Sequence, residues 1–173
     1  MANDTVGDPR IDEAKQFLKL ANDGDTMNRQ QALEDMKFVG GDQWPVELQN
    51  SRNLESRPVI TVNKVDNYCR QVSNQQRQQR PRIKVHAINT QADQKTAEVI
   101  SGVIRHIEVN SNADHSYDNG FDYAVRMGWG YWRVNTKYVR ENSFDQEIYI
   151  DPVDNPFTVY FDPNSTAPDG SDA

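Results

Sequence analysis

Cysteine is almost missing from this chain. Cys69 is the one cysteine in 173 residues, so no internal disulfide can form and no paired-thiolate zinc or redox site can be built. Long apolar runs are missing too. None approaches the roughly 20 residues of a membrane span, and the first residues, MANDTVGDPR, lack the apolar core of a signal peptide. These features predict synthesis in a reducing cytoplasm and no membrane association. Lysine and arginine stop at Arg140. Beyond it stand eight acids, from Glu141 to Asp172, leaving 19 bases against 18 acids in everything before. The net charge of -7 argues against an autonomous nucleic-acid-binding domain, which carries a basic face on a basic chain. Apolar residues make up only 36% and mean hydropathy is -0.87. So little apolar area offsets little chain entropy, and burial against partners is expected to supply the rest. No Walker lysine, nucleophile elbow or Cys-x-x-Cys pair occurs.

The stretch Asn119 to Tyr138, NGFDYAVRMGWGYWRVNTKY, carries a clear structural instruction. Tyr117, Phe121, Ala124 and Val125 recur at helical spacing, whereas Trp132, Val134, Thr136 and Tyr138 alternate at the period of a strand. The change of period falls at Gly128-Trp129-Gly130. A phosphate loop runs from strand to helix and aims backbone N–H groups at its ligand; here the order is reversed. The expectation is therefore that Gly128 ends the helix, that Gly130 turns the backbone where a side chain would clash, and that Trp129, Tyr131 and Trp132 are packing aromatics.

Along the rest of the chain, Ile11, Ala14, Phe17, Leu18 and Ala21 predict a first helix ended by the turn residues Asn22 to Asp25. A second follows, capped by Asp25 or Thr26, with Leu33, Met36 and Val39 inward and Gly40-Gly41 closing it. Trp44-Pro45 opens an irregular loop reaching Pro58, anchored by Trp44. Val59, Ile60 and Val62 predict a short extended segment. Asn63 is placed to cap a helix from Lys64 to about Gln79, with Val65, Tyr68, Cys69 and Val72 as its buried stripe and a polar second half that bridges solvent or lies against a polar partner. Pro81 breaks that helix, and Ile83 with Val85 predicts a half-buried strand. Thr90 starts a helix to about Asn110, buried along Ala97, Ile100, Val103, Ile104 and Ile107. Another runs from Ala113 to Met127. Three antiparallel strands then follow, Tyr131 to Arg140, Gln146 to Ile150 and Phe157 to Phe161. The fold class is α+β, amphipathic helices first and an antiparallel sheet second. The expected divisions are 1–56, helices and the Trp/Pro loop; 57–161, the helical and sheet core; and 162–173, an acidic loop at which the chain stops within a domain.

Three clusters offer chemistry. His115, Asp118 and Asp122 share one helix face and form an imidazole-carboxylate set, although the same spacing suits a solvated face. Asp145 and Glu147 resemble the acid pair of a metal-dependent nuclease, yet Tyr149 stands where such a site needs lysine. His86 and His106 have no motif neighbours and read as surface residues. The segment Lys64 to Lys84 holds six bases against Asp66 alone. Its Arg70, Arg77, Arg80, Arg82 and Lys84, set among Gln and Asn, suit phosphate contact without base reading. They equally suit a solvated helix end or an ion-paired contact with an acidic neighbour. No cofactor is indicated.

The assembled pattern resembles the N-terminal part of a portal protein, the head-to-tail connector of tailed bacteriophages, of the type found in short-tailed enterobacterial phages. RQQALEDMKFVGGDQWP at Arg29 to Pro45, RPVITVNKVDNYCRQVSNQQRQQRPRIKV at Arg57 to Val85, TAEVISGVIRHIE at Thr96 to Glu108, FDYAVRMGWGYWRVNTKYV at Phe121 to Val139, FDQEIYI at Phe144 to Ile150 and the remainder from Asp151 carry it. The resemblance implies a wing region of a subunit in a dodecameric ring at one capsid vertex, assembled in the host cytoplasm. Through that ring a terminase drives double-stranded DNA, and the genome later leaves. Terminase, tail adaptor, and capsid or scaffolding proteins are the implied partners, DNA passes non-specifically, and the portal performs no catalysis. A metal-dependent enzyme of nucleic-acid metabolism is the alternative.

Overall fold

The computed structural model describes residues 8–88 and 93–166. Helix α1 spans Pro9–Gly40, α2 Val46–Leu54, α3 Val65–Gln78, α4 Gln94–Asn110 and α5 Ala113–Met127; strands β1, Trp132–Tyr138, and β2, Gln146–Pro152, follow, then a 3-10 turn at Pro156–Thr158. The fold is α+β, as expected.

Helix α1 departs from expectation, because Asn22 to Asp25 do not interrupt it. Their side chains bond along the helix instead of bending it: Thr26 Oγ1 donates to Asn22 O at 2.6 Å, and Asp25 accepts from Asn28 Nδ2 and Arg29 Nε, both at 3.0 Å. Gly24 also has a packing reason, since a Cβ there would lie 3.1 Å from Pro163 Cβ. The result is one rod of 32 residues, about 48 Å long. Its end agrees with the reading. Gly41 takes φ +107, its N–H returns to Phe38 O at 3.1 Å and that of Asp42 to Lys37 O at 2.9 Å, the bond pair of a left-handed helix stop.

The loop expected from Trp44 to Pro58 contains α2. Pro45 presets the entry to the helix, while Glu47 in its first turn and Arg52 in its last match the helix dipole. Trp44 is the anchor, as expected. Its Nε1 donates to Ile60 O at 3.3 Å, and Arg52 lies over its ring while donating to Pro58 O. Asn63 also plays its expected role. Its Oδ1 accepts from Val65 N at 3.2 Å and its Nδ2 donates to Val39 O at 2.7 Å, so one side chain ties the start of α3 to the end of α1.

Residues 79–88 form no strand. Val85 N donates to the Ser101 hydroxyl of α4 at 3.1 Å, a side-chain partner in place of a ladder, and Ile83 stays exposed. The expected helix start at Thr90 lies outside the described residues; α4 is described from the Asp93 cap, whose carboxylate accepts from Lys95 N. Of its expected stripe only Ala97 is buried.

The sheet among the described residues has two strands. β1 and β2 pair antiparallel, with Trp132 opposite Pro152 and Tyr138 opposite Gln146. The third expected strand is absent because its carbonyls are already used: Arg29 of α1 donates to both Phe157 O and Val159 O. Asn155 caps the 3-10 turn that Pro156 begins, accepting from Phe157 N at 3.1 Å.

The joint after α5 matches expectation. Gly128 takes φ +96, and a Cβ on Gly130 would collide with Gly120 O. Trp129 meets Phe157, Tyr131 meets Phe161, and Trp132 meets Tyr117 edge-on at 5.3 Å. The buried hydrophobic residues are Ala21, Ala32, Val39, Ala97, Ala113, Met127 and Ile150. Small side chains let elements approach closely but remove little apolar area from water. Among the described residues, no helix is long and apolar enough to cross a membrane.

Candidate functional site

The buried face of α3 is polar. Asp66, Cys69, Ser73 and Gln76 recur at alternating three- and four-residue spacing, which makes one stripe along the helix. The expected apolar stripe is displaced: Tyr68 and Val72 are exposed, and only Val65 and Cys69 are partly covered. Helix α5 explains the choice. It presents Asp114, Asp118, Asp122 and Arg126, four residues apart, and charge pairing overrides the weak apolar preference of a stripe with few large side chains.

The seam is a ladder of ions. At one end Arg126 donates from Nη1 to Asp66 Oδ1 at 3.1 Å and from Nε to Asp122 Oδ2 at 2.8 Å. Burial lowers the Arg126 pKa, but the two carboxylates more than offset it, so the net shift is upward. In the middle Ser73, buried, donates to Asp122 Oδ1 at 2.9 Å. At the far end Asp118 pairs with Arg77 Nε at 3.3 Å and accepts from Arg80 Nη2 at 2.9 Å, and Arg80 also pairs with Asp114. Asp118 is largely buried, whereas its arginines are half in water.

Beside the seam lies a cavity of 460 Å³, open on one side, with apolar walls from Ile83, Tyr117, Phe121, Ala124 and Trp132. Two oxygens in its lining residues, Gln76 Oε1 and Asp118 Oδ1, are buried and have no hydrogen-bond donor. Tyr117 donates to Glu108 at 3.4 Å; burial pushes its phenol pKa up, and the Glu108 carboxylate adds to the shift.

The structure thus divides the basic candidates. Arg70 pairs with Asp66 at 2.7 Å and is mostly exposed; Arg77 and Arg80 join the ladder. Arg82 and Lys84 are exposed and have no ion pair among the described residues. The acidic neighbour is therefore α5 of the same chain. It is also the source of the metal candidate, so two sequence clusters neutralise each other. Asp118 and Asp122 serve arginines and a serine, and His115 is exposed. Among the described residues no group of three His, Cys, Asp or Glu side chains could hold a metal ion. Asp145 accepts from the Ser143 hydroxyl in the turn after β1, and Glu147 from Asn110 and Tyr149. His86 and His106 are exposed, as expected.

Asp66, Ser73, Gln76, Asp114 and Arg126 escaped the sequence reading. Their signal was a polar three-four spacing on one helix matched by acids every four residues on another, which a search for apolar stripes passes over.

Compared with known proteins, the chain matches the family model of the phage P22-like portal proteins over residues 15–173. No curated protein matches it.

Proposed function

Because the chain belongs to the phage P22-like portal protein family, whose role is structural, we propose that it is a subunit of a dodecameric ring at the portal vertex of the capsid. The ring is the conduit for DNA packaging and genome ejection, and the attachment site for terminase, tail adaptor, and capsid or scaffolding proteins; it assembles in the host cytoplasm. The family match carries this reading, and the surface supports it. The chain exposes 14113 Å², against about 8600 Å² for a compact monomer of 19.8 kDa. Apolar side chains are part of that surface: Phe17, Leu18, Val134 and Phe144 are all at least half exposed. Such surface awaits neighbours.

The basic segment has a modest part in this reading. Arg82 and Lys84 are available to passing DNA or to the acids of a neighbouring copy, while Arg70, Arg77 and Arg80 share their charge with acids of their own chain. The overall negative charge suits a conduit through which a polyanion must slide, because strong cationic contacts would retard it.

Sedimentation and electron microscopy of the protein from infected cells, together with a count of DNA-filled heads when its gene is disabled, test the proposal. Large rings and empty heads are expected. A small monomer with divalent-metal-dependent nuclease activity, lost on Asp145→Ala, would replace it with the enzyme reading.

A further inference from the structure

The β1–β2 hairpin ends in an exposed aromatic. Its turn, Arg140 to Ser143, closes with Ser143 N donating to Arg140 O at 3.1 Å, and Val139 N donates to Asp145 O at 3.0 Å. Phe144 follows the turn and is 96% exposed. A built hairpin that holds a phenylalanine almost wholly in water leaves the burial of a whole aromatic ring unused. Arg140 and Asn142 stand in the same tip with N–H donors.

The cavity beside the α3–α5 seam has the opposite character. Its walls are aromatic and aliphatic, and Gln76 Oε1 and Asp118 Oδ1 lack donors. Its acids outnumber its bases. Glu108, Asp114 and Asp118 line this cavity against Arg80 and Arg82, and both arginines belong to this chain already.

The tip cannot fill the cavity of its own chain. Trp132 at the root of β1 forms a cavity wall, and the tip lies beyond Tyr138, six residues farther along a strand, or about 20 Å away. Knob and hole sit at separate places on one molecule. A contact between two different patches repeats from copy to copy, and it closes into a ring when the rotation permits.

We propose that Phe144 at the hairpin tip of one copy inserts into the cavity lined by Tyr117, Phe121, Ala124 and Trp132 of the next, where Arg140 meets the acids Glu108, Asp114 and Asp118 that line it. The partner is a second copy of this chain, and the inference rests on the reading that copies assemble into a ring.

The test uses the full chain with Cys69→Ser. Adding Phe144→Cys and Ala124→Cys together, under mild oxidation, is expected to yield a ladder of covalent multiples without reductant; mixing the two single-cysteine chains should yield a dimer only. Phe144→Asp, at a site too exposed to matter for folding, should leave the circular dichroism spectrum unchanged and weaken association at least about thirtyfold, the loss typical of a central interface anchor. A disulfide confined to single chains, no ladder from the double-cysteine chain, or rings that form normally with Phe144→Asp would overturn this contact while leaving the portal reading intact. A wild-type chain that stays monomeric at high concentration would overturn both.

Discussion

Helix α5 is joined to its neighbours in two different ways. Toward the sheet it meets β1 and β2 through shape: Ser116 is buried and donates to Ile150 O at 3.1 Å, Gly120 lies so near Trp132 that a Cβ would come within 3.0 Å of its ring, and Gly130 passes against the Gly120 backbone. Toward α3 it meets charge with charge. The first joint depends on excluded volume, which neither salt nor moderate pH alters. The second depends on pairs whose arginines stand partly in water, where each surface contact is worth about 1 kcal/mol or less. A single helix thus combines a rigid attachment with a soft one, and the softer side borders the cavity.

Substitution should separate them. Gly130→Val is expected to have the largest effect, a loss of folding on the order of 4 kcal/mol or more, because its side chain would occupy the position of Gly120 O. Thermal unfolding and soluble yield would show it; a stable variant with unchanged midpoint would mean that the backbones can separate. Asp118→Ala should cost about 1 to 3 kcal/mol by leaving Arg77 and Arg80 without their shared carboxylate. Raising salt from low to molar concentration should then destabilise the wild type more than this variant, since screening acts on pairs the variant has lost. Equal salt dependence would remove the ladder from the account. A comparable loss, about 1 to 3 kcal/mol, is expected for Arg77→Ala with Arg80→Ala together, which strands the largely buried Asp118 carboxylate, with altered assembly or DNA packing and an intact fold. Unfolding of that double variant in chemical denaturation would show that the arginines are structural.

The mildest test concerns alkaline pH. Tyr117 and Tyr131 both have phenol pKa values raised, chiefly by burial, so the folded state disfavours their charged forms. The stability tied to those protons is fully present below the ordinary phenol value of about 10 and is lost as pH rises through the folded-state value. Denaturant midpoints for Tyr131→Phe should decline less steeply above that pH than those of the wild type. Parallel curves would exclude the phenol as the source.

Some of this is legible in the sequence. Helix α5 has the bounds its spacing predicted, and Gly128 and Gly130 take their expected roles, because the information is local: a period, a left-handed stop, a close approach. The errors share a cause. Asn22 to Asp25 have turn chemistry, yet their side chains found partners one helical turn away. Val46 to Leu54 looked irregular, but Pro45 and Arg52 secured a helix. Phe157 to Phe161 had strand residues, and a guanidinium from a helix about 130 positions earlier took the carbonyls.

The sequence alone determined the fold class, the low apolar content, the helix-to-strand joint and the residues that match the portal family. Those properties follow from composition and from neighbours within a few positions. Tertiary structure decided which side of α3 is buried, that Arg77 and Arg80 of the basic segment pair with the acids of α5, and that a hollow lies beside them. Ion pairs between distant helices leave no period of their own in the chain; they become visible once packing brings Asp118 within 3.3 Å of arginines some forty residues before it.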